Sequence, residues 1–332
     1  MTVPRRRRQV SPQAATRTVH ELVDSAFRRL NAAGLAFGHG TTNAWDEAVY
    51  LMLHALRLPP DLLTPYLHRR VSPAQWRRAA RLVAERVRRR IPAAYLTREA
   101  WLGDFKFYVD ERVIVPRSYI AELLRERLAP WLRPRQRITR VLDLCTGSAC
   151  LAIIAAKIFP KAQVDAIDIS TDALAVGKRN VANYGLRKRI RLLESDLFSA
   201  IAGERYDLIL CNPPYVDVDA MRKLPMEYRR EPRIALAAGR EGLDAVLKIM
   251  WHAAAHLTDE GFLVVEVGHH RRRVEAAFPY VRLIWPQTSG GDDCVFIVDR
   301  HELEGARRMA PVSRRQAPSH QASRAAAASR RK

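Results

Sequence analysis

The sequence predicts an α/β fold: a doubly wound, mainly parallel sheet of seven strands whose last strand runs antiparallel, preceded by a small helical domain and a hairpin linker. Three observations carry this. From Arg140 onward, short apolar runs alternate with helical stretches, the pattern of parallel strands joined by crossover helices. Before Arg90 the apolar residues recur at helical spacing. Between these regions, Tyr95 to Pro116 changes to short β-like runs.

Val19, Leu22, Val23, Ala26, Phe27 and Leu30 make the apolar face of a first helix, with Gly34 as its stop signal. A second helix starts after Asn43, carries Ala48, Leu51, Met52 and Ala55 on one face, and ends before Pro59-Pro60. Ser72-Pro73-Ala74-Gln75 has the capping-box form with Pro at the first helical position, and Trp76, Ala80, Val83 and Val87 form the stripe that follows. The opposite face, Arg77, Arg78, Arg81, Arg86, Arg88, Arg89 and Arg90, is expected to meet water or a partner. Phe105 to Val109 and Val113 to Val115, separated by Asp110-Glu111-Arg112, are expected to pair as a hairpin. The sheet strands are expected at Val141–Cys145, Gln163–Asp168, Ile190–Glu194, Asp207–Cys211, Phe262–Val267, Val281–Trp285 and Asp293–Val298. The last two are joined by a segment too short for a helical crossover, so they should pair antiparallel. The resulting partition is a basic disordered end (1–15), a helical domain (16–92), a hairpin linker (93–117), the sheet domain (118–302) and a second basic disordered tail (303–332).

At 332 residues the chain can bury two substantial cores. Its formal charge is +21, but the first twenty residues carry five Arg and no acid, and Gly305 to Lys332 carries seven Arg, one Lys and no acid. The body therefore keeps a modest basic surface, suited to a polyanionic partner without requiring one. Cys145, Cys150, Cys211 and Cys294 show no paired metal spacing and are expected to be free thiols in a reducing, cytoplasmic setting. No apolar run approaches the ~18 residues needed to span a bilayer, so no membrane partner is expected. The N-terminus has charge but no following apolar core of the secretory kind.

Two clusters carry the chemistry. Asp143-Leu144-Cys145-Thr146-Gly147-Ser148-Ala149-Cys150 ends the first strand of the sheet and opens a helix, and Gly147 lets the backbone approach a ligand closely. Asp168 closes the second strand about 20 residues later, the interval at which an acidic side chain accepts ribose hydroxyls. Asp196, followed by Leu197, closes the third and is suited to an adenine amine. There is no Gly-x-x-x-x-Gly-Lys-Ser/Thr run, so a nucleoside such as S-adenosylmethionine suits the site better than a nucleotide. The second cluster, Asn212-Pro213-Pro214-Tyr215, follows the apolar run Leu208 to Cys211. Neither proline has an N–H, so the loop presents acceptors held stiffly, with an aromatic face beside them. This suits a planar, conjugated NH2 group, whether a glutamine amide or a base amine.

These residues together resemble the glutamine N(5)-methyltransferases that modify translation proteins, over roughly Thr16 to Arg300. The resemblance implies a seven-stranded S-adenosylmethionine-dependent methyltransferase sheet behind a helical substrate-recognition domain. Phe107-Tyr108-Val109-Asp110-Glu111-Arg112-Val113-Ile114-Val115-Pro116-Arg117-Ser118, Glu227 to Pro232 and Gly239 to Asp244 are similar to the branch acting on the third large-subunit ribosomal protein. By resemblance, Asn212, Pro213, Pro214 and Tyr215 hold the substrate amide. Asp143, Thr146, Gly147, Ser148, Ala149, Asp168, Asp196, Leu197 and Asn212 belong to the cofactor site. The family's usual glycine after Thr-Gly-Ser is Ala149 here, where a helix-start alanine is expected to cost only space beside the cofactor. His269 and His270 are expected at the surface; Glu227, Tyr228 and Glu231 are expected either to shape a peptide groove or to brace a loop. The alternatives are the branch acting on release factors, an amino methyltransferase for a DNA or RNA base, and a non-catalytic ribosome-assembly factor that binds RNA. Because ribosomal proteins are basic, rRNA or a nascent ribosomal particle is expected to aid recruitment of the substrate.

Overall fold

The computed structural model of the chain describes residues 17–132, 136–239 and 242–309. The basic end 1–15, residues 310–332 of the basic tail, and Arg240-Glu241 of the Gly239–Asp244 stretch lie outside the described residues. Contacts divide the chain into two compact units, Met1–Thr97 and Arg98–Lys332.

In the first unit a short ladder, β1 (Arg17–Thr18) with β2 (Arg70–Val71), is antiparallel. Its helices are α1 (Val19–Ala32), α2 (Ala44–Leu56), α3 (Pro73–Arg89) and the short α4 (Ala93–Thr97). Thr18 and Glu21 close a capping box on α1, Asn43 caps α2, and Ser72 and Gln75 close a second box on α3. The apolar faces meet in one core that includes Leu22, Leu30, Leu51, Met52 and Val83. Two of the arginines expected on the outer face of α3 turn back onto the unit instead, one of them into its core. Arg86 is fully buried, its Nε 2.7 Å from Glu47 Oε1 and its Nη2 donating to the Ala36 carbonyl. Arg90 donates to the Ala33 and Gly34 carbonyls, binding the orphan carbonyl end of α1. An arginine can do this because its flat fork satisfies several acceptors at once.

The second unit opens with a hairpin, β3 (Ala100–Leu102) and β4 (Phe105–Phe107), one segment ahead of the pair expected from the sequence. Gly103, at φ +57°, makes the tight turn between them. Val113 to Val115 does not join it, because its amides are taken elsewhere: Val113 N–H by the Asp110 carbonyl and Val115 N–H by Glu231 Oε1. Then follow α5 (Ile120–Arg125), β5 (Arg140–Leu144), α6 (Cys150–Ile158), β6 (Gln163–Asp168), α7 (Thr171–Asn183), β7 (Ile190–Glu194), β8 (Tyr206–Cys211), α8 (Val218–Lys223), α9 (Asp244–His252), β9 (Leu257–Glu266), α10 (Arg271–Ala277), β10 (Val295–Asp299) and α11 (Arg300–Met309). Helix α11 occupies the first residues of the tail expected from residue 303.

The sheet order is β10-β9-β8-β5-β6-β7, parallel except for β10, which runs antiparallel to β9. Among the described residues this sheet has six strands, not seven. Val281–Trp285 is reduced to one antiparallel bridge, Ile284 with Ile297. The ladder stops on both sides for local reasons: Arg282 N–H goes to Glu302 Oε2, and residue 286 is a proline with no N–H to give. The chain reverses direction across the sheet between β5 and β8, and in open α/β sheets the ligand crevice lies beyond the strand ends at such a switch. No helix among the described residues is long and apolar enough to cross a membrane.

Arg86→Met leaves Glu47 buried without its partner and should cost about 3–5 kcal/mol. The joint replacement Arg86→Met with Glu47→Gln should cost much less, and urea unfolding of the three proteins checks the difference.

Candidate active site

Of the residues expected at the site, Gly147, Asp168, Asp196, Leu197, Asn212 and Pro214 line one cavity of about 280 Å³ at the carboxyl edge of the sheet. The cradle begins after β5. Gly147 stands at φ +55°, and a Cβ built there meets no protein atom within 4 Å, so the space beyond it belongs to the cavity. Its N–H donates to Asp168 Oδ2 at 2.8 Å, while Ser170 N–H donates to Oδ1 at 2.9 Å. Each carboxylate oxygen keeps a lone pair beyond those bonds. Burial pushes the Asp168 pKa up, against the pull of these amides.

The other expected cofactor residues stand behind the wall. Asp143 is buried, taking the Thr146 hydroxyl on Oδ2 at 2.5 Å and the Ala152 N–H at 3.0 Å. Its Oδ1 has no hydrogen-bond partner, and burial lifts its pKa to about 7. Thr146 and Ser148 are buried beneath the loop. Ala149 differs most from expectation. It is not an easy helix-start alanine: it caps α6 in the left-handed region, φ +62° and ψ 26°, where an L-residue is strained. Its methyl is buried against α7, where a Cβ added at Gly177 would lie 3.3 Å from it. The cost of Ala149 is therefore conformational, and falls on the packing of α7 rather than on the cavity wall. Cys145 at φ +57° and Leu197 at φ +50° share the strained geometry and line the cavity.

At the second cluster the Asn212 side chain donates from Nδ2 to the Arg117 carbonyl at 3.2 Å. A carbonyl only accepts, so this bond assigns the amide and leaves Oδ1 as its acceptor end, in a residue that lines the cavity. Arg117 is itself gripped by Glu231, Nη1 to Oε1 at 2.6 Å and Nη2 to Oε2 at 2.7 Å, and lies over the Tyr228 ring at 5.4 Å. Glu231 thus braces the loop expected from one of its two readings. Pro213 is buried. Tyr215 stands on the turn after β9: a Cβ at Gly268 would lie 3.0 Å from its ring, and its carbonyl accepts from His270 Nε2 at 2.9 Å. Burial pushes the Tyr215 phenol up. His269 is exposed as expected, but His270 is half-buried and holds the catalytic loop candidate in place.

Arg117, Glu266, Gly268 and His270 were not foreseen as site residues. Glu266 is nearly inaccessible, accepts the Ser118 hydroxyl at 2.6 Å and the Tyr119 N–H at 2.9 Å, and is pushed up to about 7 by burial. A signal for it existed, because it ends a strand as Asp168 does. The partners of Arg117 and His270 lie too far along the chain for spacing to reveal them.

An open α/β sheet with a nucleoside-sized cradle and an acceptor loop across the switch point is the layout of a methyltransferase, and residues 122–227 match the family model for the methyltransferase small domain. Curated relatives extend the match over most of the chain. Ribosomal protein uL3 glutamine methyltransferase of Bordetella pertussis is 53% identical over 86% of this chain and 96% of its own length. The proteins of that name from Burkholderia pseudomallei and Bradyrhizobium diazoefficiens are 51% and 45% identical, each over 86% of this chain and over 96% and 92% of their own. The chain belongs to the ribosomal protein uL3 glutamine methyltransferase family and is an S-adenosylmethionine-dependent methyltransferase. The donor set fits that cofactor: a glycine-walled cradle with the Asp168 and Asp196 carboxylates on its lining.

Gly177→Ala should be destabilising in the native chain and nearly neutral when combined with Ala149→Gly. A coupling of about 0.5 kcal/mol or more in a double-mutant cycle is expected, with cofactor affinity measured by calorimetry unchanged by Ala149→Gly. A buried acid whose folded pKa is raised favours the fold while protonated, so its contribution is lost as pH rises from its unfolded value of 4.5 to about 7. Glu266→Gln keeps an acceptor for both donors, and should flatten the fall in thermal midpoint across that window relative to the parent.

Proposed function

We propose that this chain transfers the methyl group of S-adenosylmethionine to the side-chain amide nitrogen of a glutamine in ribosomal protein uL3. The observation that carries the reading is the fixed amide of Asn212, a residue that lines the same cavity as the cofactor cradle and whose Nδ2 is already spent on the Arg117 carbonyl. The relatives' shared name supports the choice of substrate. The bound cofactor supplies an electrophilic methyl on a sulfonium.

An amide nitrogen is a weak nucleophile because its lone pair is delocalised into the carbonyl. Asn212 Oδ1 and a main-chain carbonyl of the Pro213-Pro214 segment accept the two N–H bonds of the glutamine amide. As the N–methyl bond forms and the S–methyl bond breaks, those hydrogens become more acidic with the positive charge on nitrogen, so the bonds strengthen in the transition state and lower the barrier, and one of the two protons then leaves the nitrogen for solvent. Tyr215, pinned between Gly268 and His270, packs on the amide plane. Asp168 accepts the ribose hydroxyls; Asp196 and Leu197 meet the adenine; Gly147 gives backbone room; and Asp143, Thr146, Ser148 and Ala149 shape the loop from behind. The helical unit is the substrate-recognition domain. The enzyme works in the cytoplasm, where its basic surface contacts rRNA within a nascent particle.

Purified uL3, a release factor and stripped rRNA, each incubated with isotopically labelled cofactor and analysed by mass spectrometry, separate the readings. Label on a uL3 glutamine is expected; label only on the release factor or on a base overturns the assignment. Asn212→Ala should keep cofactor affinity within a few fold while kcat falls on the order of 10²-fold or more.

A further inference from the structure

We propose that His269 Nδ1, the Asp293 carboxylate and Cys294 Sγ form a binding site for a divalent cation of the zinc class. Their donor atoms lie within 4.8 Å of one another. Nitrogen, carboxylate oxygen and sulfur together are the donor set of a borderline-soft ion rather than of magnesium or calcium. His269 Nδ1 is 3.0 and 3.1 Å from the two Asp293 oxygens and 3.8 Å from Cys294 Sγ, which is 3.4 Å from Asp293 Oδ1. A tetrahedral zinc with bonds of roughly 2.0–2.3 Å needs its ligands roughly 3.3–3.6 Å apart, so closing on the ion asks each pair to shift by a few tenths of an ångström.

The backbone that presents these groups is built. Val267 N–H donates to the Cys294 carbonyl at 2.8 Å, which holds the end of β9 against the segment entering β10. Thr288 and Gly291 exchange both main-chain bonds at 3.0 Å, and Arg271 Nη1 holds the Asp292 carbonyl at 3.1 Å. Gly291 stands at φ +110°, and a Cβ there would press to 3.2 Å from Asp293 Oδ1. The floor of the site is Cys294, buried, and its rim is the His269 side chain, 74% exposed, so an ion can enter from solvent. Three protein ligands leave a fourth position for water. Binding sends the Cys294 thiol proton to solvent and requires the His269 proton on Nε2. Sequence spacing hides the site because His269 and Cys294 are 25 residues apart.

Its position gives it a consequence. His269 lies between Gly268, which supports the Tyr215 ring, and His270, which holds the Tyr215 carbonyl. An ion on His269 therefore ties the turn that positions Tyr215 to the start of β10.

Cobalt titration of the full chain tests this directly. The expected result is a thiolate-to-cobalt charge-transfer band with tetrahedral d–d bands, saturating at one equivalent and displaced by zinc. Cys294→Ser should abolish the charge-transfer band, and His269→Ala, a surface change that leaves the core untouched, should weaken affinity at least about tenfold. A native protein without the charge-transfer band, or a spectrum that both substitutions leave unchanged, overturns the site and leaves a His269–Asp293 hydrogen bond over a buried thiol.

Discussion

The bond from Asn212 Nδ2 to the Arg117 carbonyl is the constraint on which the proposed chemistry rests. A primary amide has two nearly isosteric ends, one donating and one accepting, and a methyl-transfer site for an NH2 group needs the accepting end. The Arg117 carbonyl resolves the choice by taking the donor. That carbonyl is located in turn by Glu231, whose carboxylate receives the Val115 N–H and both ends of the Arg117 guanidinium. One buried acid thus holds the segment from 115 to 117 rigid, and a bidentate arginine is suited to this because its fork carries direction as well as charge. Pro213 and Pro214 complete the arrangement by having no N–H to compete for the substrate.

Rigidity elsewhere comes from stitching the strand ends to one another. Thr146 N–H donates to the Ile167 carbonyl at 2.9 Å, Gly147 N–H to Asp168, and Ser195 N–H to the Asp168 carbonyl at 3.0 Å. The loops after β5, β6 and β7 are therefore linked sideways into one rim. Cys145, Ala149 and Leu197 hold left-handed conformations within or beside that rim, each at about 1–3 kcal/mol. The packed interior of the sheet, Leu142, Leu144, Ile209 and Val265 among it, offsets that strain.

What was legible in the sequence depended on range. The capping box at Ser72, the glycine turn at 147 and the acid that ends β6 are local devices, and each stands where its own neighbours put it. The acceptor loop was legible because two adjacent prolines restrict the backbone without help from the rest of the chain. Arg86 was misplaced because a helical wheel sees charge but not a carboxylate 39 positions away. The hairpin was shifted because Val113 and Val115 have strand-like side chains while their amides are claimed by Asp110 and Glu231. The seventh strand failed for want of one N–H, at Pro286, and through the diversion of another, at Arg282. Ala149 looked harmless in sequence because φ is not written in residue identity.

Of the three raised carboxyls around the site, only Asp168 lines the cavity. Asp143 and Glu266 are pushed to about 7 and Asp168 is pushed upward, in each case chiefly by loss of water. A buried anion without a cation is costly, and the site accepts that cost at Asp168 by lending it two amides rather than an arginine. An arginine partner would satisfy the carboxylate permanently and leave it little reason to receive a ligand. Arg112, which also lines the cavity, is instead held by Asp110 at 2.9 and 2.7 Å, and that pairing draws Asp110 down to about 2. Arg112 is thus neutralised at the cavity's edge, while the Asp168 carboxylate, held by amides rather than by a cation, keeps acceptor capacity for a ligand's hydroxyls.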